Sequence, residues 1–136
     1  QFPLAPPPGT VPPVAVVAGL PMAGIATDIL VVNNIRDRET DRAAGKTTLA
    51  VVLGYAGSRV EYVALLAMAY AVPVWFWTRT PAGPAVLLPL LSLPYAGLVT
   101  RTVLRETGGV ALNDALSRTG RLLFGYATLF GVGLAV

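Results

Sequence analysis

The chain has no cysteine and no histidine among its 136 residues. Without cysteine there is neither a disulfide nor a thiolate metal site. Without histidine there is no imidazole ligand and no histidine general base. Charge is scarce as well. Asp, Glu, Lys and Arg make up 12% of the sequence, about half the share of an ordinary soluble domain. Mean hydropathy is +0.66, and the net charge of +3 needs no nucleic acid to explain it. One domain at most fits this length. The expected fold class is all-α, a multi-span transmembrane helix bundle.

What is present follows a simple order. Residues 1–13 hold six prolines and no charge, which reads as an extramembrane loop. Spans are expected at about 14–35, 60–78, 84–104 and 120–136. Asp28 is the single charge of the first span, and an ionisable group at that depth is a functional candidate by default. Leu49 to Gly57 reads as a short re-entrant or interfacial piece. Trp75 and Trp77 close the second span, where amphipathic aromatics mark a membrane interface. Residues 101–120 read as a second polar loop. The chain opens on Gln1, and no signal peptide is visible, so it reads as the later part of a longer polypeptide.

The basic residues are distributed unevenly. Of ten Lys and Arg, five lie between 36 and 59, one at 79 and four between 101 and 121. Alternate loops are thus heavily and barely positive, so the 33–59 and 101–121 loops are expected to be cytoplasmic. A multi-pass protein of the cell's inner membrane fits this pattern.

The one dense charge cluster is Asn33 to Gly54, NNIRDRETDRAAGKTTLAVVLG. As a helix it stacks Asn33, Asp37 and Asp41 in one row, with Asn34, Arg38 and Arg42 beside it. A carboxamide and two carboxylates offer only oxygen, which suits a hard cation such as Mg²⁺. Arg36, Arg38, Arg42 and Lys46 supply counter-charge for a diphosphate. The plain alternative is a solvated helix end laced with ion pairs. Gly45-Lys46-Thr47 is not a phosphate-binding loop, because that motif needs a second glycine at position 40, which is Thr. Helix-contact spacing of Gly19, Gly24, Gly131 and Gly133 is irregular, so glycine packing reads as weak.

The cluster resembles the second aspartate-rich region of the UbiA superfamily of intramembrane aromatic prenyltransferases. Within it, the branch acting in menaquinone biosynthesis (MenA) is the nearest match. The Asn33-Asn34 pair, Arg36 before Asp37, Asp41 four residues on, Gly45-Lys46 and Thr48-Leu49 carry the resemblance. Residues 112–134, LNDALSRTGRLLFGYATLFGVGL, are similar to the C-terminal end of that branch. The resemblance implies transfer of a polyprenyl group from polyprenyl diphosphate to 1,4-dihydroxy-2-naphthoate, giving demethylmenaquinone with release of CO₂ and diphosphate. It implies that Asp37 and Asp41 hold Mg²⁺ with Asn33. Asn34, Arg38, Arg42 and Lys46 then face the diphosphate, and the lipid bilayer surrounds the spans.

The chain departs from that pattern in places. Thr47 and Val52 stand where the branch has arginine, and Asp28 where a small or apolar residue is expected. The first aspartate-rich motif is absent and belongs to an N-terminal half that this chain lacks, so the segment is expected to be inactive alone. Other acceptors (4-hydroxybenzoate, a chlorophyllide or haem) remain open. A transporter using Asp28 and the Asp37 cluster as a cation path would spread charge at midplane depth, whereas here it gathers at one helix end.

Overall fold

A computed structural model describes residues 7–136, so the first six residues of the Pro-rich stretch lie outside the described residues. Helix α1 spans Pro13–Ala43. Pro13 starts it well, because the first helical position needs no N–H donor. Helix α2 spans Leu49–Arg79, a 3-10 helix Pro84–Ser92, α3 Leu93–Arg105 and α4 Gly109–Ala135. There is no strand among the described residues. Three stretches, Pro13–Ala43, Leu49–Arg79 and Pro84–Arg105, are long and apolar enough to cross a membrane. The chain is an all-α membrane helix bundle.

The polar segments read as loops are mainly helix. Only 44–48 and 106–108 are non-helical between the neighbouring helices at that end. No breaker occurs in Asn33–Ala43, so α1 carries its charges to its own C-terminus. There Gly45 adopts φ +74°. Its N–H donates to Arg42 O at 3.1 Å, and Lys46 N–H donates to Asp41 O at 2.9 Å. That is a glycine-dependent cap that satisfies the last carbonyls. The Gly-Lys pair is therefore a helix stop. The piece after it is short and helical, and Gly54 breaks it at φ 72°, ψ 178°, a conformation open only to glycine.

Packing is dominated by α1 against α2, then α1 against α4. Tyr62, Tyr126, Phe130, Ile25, Ile35 and Leu112 are among the largest fully buried side chains. Within α2, Pro73 has no N–H to give the carbonyl one turn earlier, at Ala69. Tyr126 of α4 repairs this by donating its hydroxyl to Ala69 O at 2.5 Å. Its ring meets Tyr70 edge-on at 5.4 Å. Tyr126→Phe keeps the ring and orphans that carbonyl, so thermal unfolding in detergent should show a loss of about 1–2 kcal/mol.

Glycine spacing proved a poor guide to contact. A Cβ on Gly24 would lie 3.3 Å from Leu65 O, and one on Gly133 would lie 2.9 Å from Val86 Cα. Both are true close approaches of backbone, whereas Gly19 and Gly131 have nothing within 4 Å. The packing reading thus applies to two of the four, chosen by register rather than by motif.

The charged ends come together. Arg36 reaches Asn113 of α4, Arg38 reaches Ala50 O, and Arg59 donates to Val103 O and Glu106 O. The two basic stretches therefore share one end of the bundle, and the Arg79 turn lies at the other. Trp75 and Trp77, near that turn, are half-exposed.

Candidate functional site

The row predicted at the end of α1 forms, and its residues are partly exposed while the face behind it is buried. Ile35 is 1% exposed and Asp28 0%, whereas the Asp37 side chain is 35% exposed. Asp28 and Asp37 are nine residues apart, half a turn out of phase at 100° per residue. Asp28 consequently points into the helix packing and stands apart from the row. Both of its carboxylate oxygens lack a hydrogen-bond partner, as does the buried Ser58 hydroxyl on α2.

Within the row, Arg36 is the centre. Its Nε and Nη2 donate to the two oxygens of Asp37, each at 2.8 Å. Nη2 also donates to Asn33 Oδ1 at 2.7 Å, and Nη1 to Asn113 Oδ1 at 2.7 Å. One guanidinium thus joins two of the predicted oxygen donors to α4. Hydrogen bonding from Arg36 holds the Asp37 carboxyl below the usual carboxylate range, with further help from Lys46 charge. The sign follows: Asp37 contributes stability above its ordinary pKa, lost only as pH falls through the lowered value.

The remaining predicted residues take other partners. Asp41 faces Lys46, Nζ to Oδ1 3.4 Å, with the carboxylate 15% exposed and the ammonium 67%. The glycine cap brings this pair together, since it turns the chain back just after Arg42. Arg38 turns toward the short helical piece, donating from Nε to Ala50 O at 3.1 Å. Its guanidinium lies 4.7 Å from the Tyr55 ring centroid, with Arg59 5.5 Å from the same ring. Asn34 is half-buried and Arg42 exposed, and neither side chain is joined to the Arg36 cluster. The structure therefore gathers Asn33, Arg36 and Asp37 in one group and Asp41 and Lys46 in a second, one turn further on.

Two residues of this arrangement were outside the predicted set. Sequence spacing marks Arg36 only as counter-charge, although it stands next to Asp37 in the chain. Asn113 lies 77 residues further along the chain, and nothing in local sequence links it to the row.

Among the described residues no group of three or more His, Cys, Asp or Glu is close enough to hold a metal. The donor set nevertheless fits Mg²⁺ in its usual protein mode, in which one or two carboxylates act together with substrate phosphates and water. A cation already lies against these oxygens, because the Arg36 guanidinium bridges Asn33 and Asp37. Asp37 and Asp41 would hold the ion, with Asn33 as a neutral oxygen. An apolar groove of about 500 Å³ between α2 and α3, lined in part by Leu66, Ala96 and Leu104, includes Arg101 and Arg105.

Comparison with known proteins bears on the family of the chain. The chain matches the UbiA prenyltransferase family over residues 7–132. It is 39% identical over 110 residues to a 1,4-dihydroxy-2-naphthoate octaprenyltransferase of Mycobacterium tuberculosis, covering 74% of this chain and 38% of that protein. It is 36% identical over 118 residues to UbiA prenyltransferase domain-containing protein 1 of Gallus gallus, covering 85% of this chain and 34% of that protein. A 1,4-dihydroxy-2-naphthoate octaprenyltransferase of Bacillus subtilis is 25% identical over 122 residues. No solved structure matches. The chain spans between a third and two fifths of the length of these relatives. With the match covering nearly all of its residues, the chain belongs to the UbiA prenyltransferase family.

Proposed function

We propose that this chain is part of a 1,4-dihydroxy-2-naphthoate polyprenyltransferase, supplying the second acidic half of the site. The observation that carries the reading is the oxygen row of Asn33, Asp37 and Asp41, edged by Arg36 and Lys46. The likeness to the mycobacterial enzyme supports the choice of acceptor. In this reading the allylic C–O bond breaks and its electron pair leaves with the diphosphate. The ring of the acceptor attacks the allylic carbon, and its carboxylate departs as CO₂. The product is demethylmenaquinone at the quinol level.

The residues act on the leaving group. Lys46, two-thirds exposed beside Asp41, can swing to phosphate oxygens at little cost, and Arg42 lies free in solvent on the same helix end. Asp37 stays ionised through the neutral range because Arg36 is bonded to both of its oxygens. Bound Mg²⁺ would supply charge neutralisation of the departing diphosphate. Placing this end of the bundle on the cytoplasmic side of the inner membrane keeps the anion in water and the polyprenyl tail in hydrocarbon. The first acidic motif and the rest of the site would come from a preceding half of the polypeptide.

A second reading, prenyl transfer to a different aromatic acceptor, rests on the relatives named UbiA prenyltransferase domain-containing protein 1, which match at similar identity. The test is prenyl transfer by the full-length protein in membranes, with radiolabelled prenyl diphosphate, Mg²⁺ and a panel of acceptors. Product with 1,4-dihydroxy-2-naphthoate alone, abolished by EDTA, is the expected result. Product only with another aromatic would replace the acceptor and keep the site. No Mg²⁺-dependent product with any acceptor would sink the enzyme reading.

A further inference from the structure

Side chains at positions i and i+1 of a helix point about 100° apart and do not ordinarily meet. Arg36 and Asp37 are such neighbours, yet they form a two-pronged pair at 2.8 Å and 2.8 Å. Arg36 must therefore fold sideways along the helix surface, and something must hold it there. Asn33, one turn back, takes one N–H at 2.7 Å. The remaining anchor comes from a different helix: Asn113 accepts from Nη1 at 2.7 Å.

The Asn113 backbone is well fixed. Its neighbour Leu112 is fully buried, as is Ala115, and Leu112 N–H donates to Gly108 O at 3.1 Å in the first turn of α4. The Asn113 side chain is exposed, but it springs from this fixed backbone, so its Oδ1 offers Arg36 an acceptor carried by α4. Four bonds then determine the guanidinium plane, and that plane in turn determines the orientation of the Asp37 carboxylate.

We propose that Asn113 is a positioning residue for the diphosphate–metal site. It acts through Arg36 to hold Asp37, and thereby ties α4 to the acidic end of α1. This inference rests on the prenyltransferase reading of the row. Two of the four lone-pair positions on the Asp37 carboxylate remain open while Arg36 is bonded, so a cation and Arg36 can share the group. Partners one shell out that orient a ligating carboxylate typically change metal affinity or activity by about 10- to 100-fold when removed.

The experiment uses the full-length protein in nanodiscs, with Mn²⁺ binding followed by electron paramagnetic resonance and the Mg²⁺ dependence of prenyl transfer measured in parallel. Asn113→Leu keeps the size and removes the acceptor oxygen. It should raise the half-saturating concentration of both cations about 10-fold, with KM for the aromatic acceptor unchanged. Asn113→Asp keeps an acceptor oxygen and should stay near wild type. Arg36→Lys cannot form the fork and should reproduce the Asn113→Leu shift. In that background, Asn113→Leu should add little, because its route is already cut.

Wild-type cation affinity in a folded Asn113→Leu protein would overturn the inference. So would equal losses from the Leu and Asp variants, or a full additive loss in the double variant. Those outcomes leave the prenyltransferase reading intact. A wild-type protein that neither binds Mn²⁺ nor transfers prenyl groups would overturn the reading and the inference together.

Discussion

Replacing Asp37 or Asp41 by alanine in the full-length protein is expected to lower prenyl transfer by about 10²- to 10³-fold or more. That is the range seen when one group stabilising developing charge is removed from a site. The two residues differ in how they are held. Asp37 is bonded through both oxygens to Arg36, so alanine removes an oxygen donor and also releases the guanidinium. Asp41 is paired with Lys46 at 3.4 Å, so its loss frees a lysine that remains able to meet phosphate.

Asparagine substitutions separate the roles. Asp37→Asn retains an oxygen that can accept from Arg36 but has lost its charge. If the carboxylate serves mainly to aim Arg36, this variant keeps much of its activity. If it holds the cation, activity falls nearly as far as in the alanine variant, and the latter is expected. Stability moves much less in either case. The Arg36–Asp37 pair is partly solvated, with side chains 25% and 35% exposed, and such pairs contribute at most about 1 kcal/mol. Thermal unfolding measured beside the transfer assay checks this. Equal losses in stability and activity would make Asp37 a structural residue.

Much of this site was legible because it is local. Asn33, Asp37 and Asp41 recur at the helical interval, and nothing between them breaks a helix. The shared end of the two basic stretches was also legible, since charge distribution follows the bilayer rather than tertiary detail. Other features depend on packing across the bundle and leave no local trace. Arg36 became central only when Asn113 arrived from α4. Asp28 drew attention as a lone intramembrane acid, but its phase on α1 turns it away from the row and into the helix packing. The polar stretches read as loops are helix ends, because side-chain polarity does not stop a helix; Gly45 does, through its positive φ.

The glycines of α4 give the second large effect. Gly131 and Gly133 lie two residues apart in one helix, yet they face different surroundings. A Cβ on Gly131 meets nothing within 4 Å, whereas one on Gly133 lies 2.9 Å from both Ala85 C and Val86 Cα. Both of those atoms are backbone, in the 3-10 helix Pro84–Ser92, so no side-chain rotation can make room. Gly131→Ala should therefore raise stability by about 0.5–1 kcal/mol, the gain from replacing glycine in a helix interior. Gly133→Ala should lower it by about 1–3 kcal/mol, and Gly133→Val by more, as overpacking forces the 3-10 segment away from α4. The buried contact of Phe130 with Phe76, at 5.7 Å between centroids, lies one turn from Gly133 and would be strained by the same shift. Thermal unfolding of the three variants in one detergent tests the difference in sign. If both alanine variants moved stability the same way, the close approach of α4 to the 3-10 helix would be refuted, and with it the backbone contact that seats this end of α4.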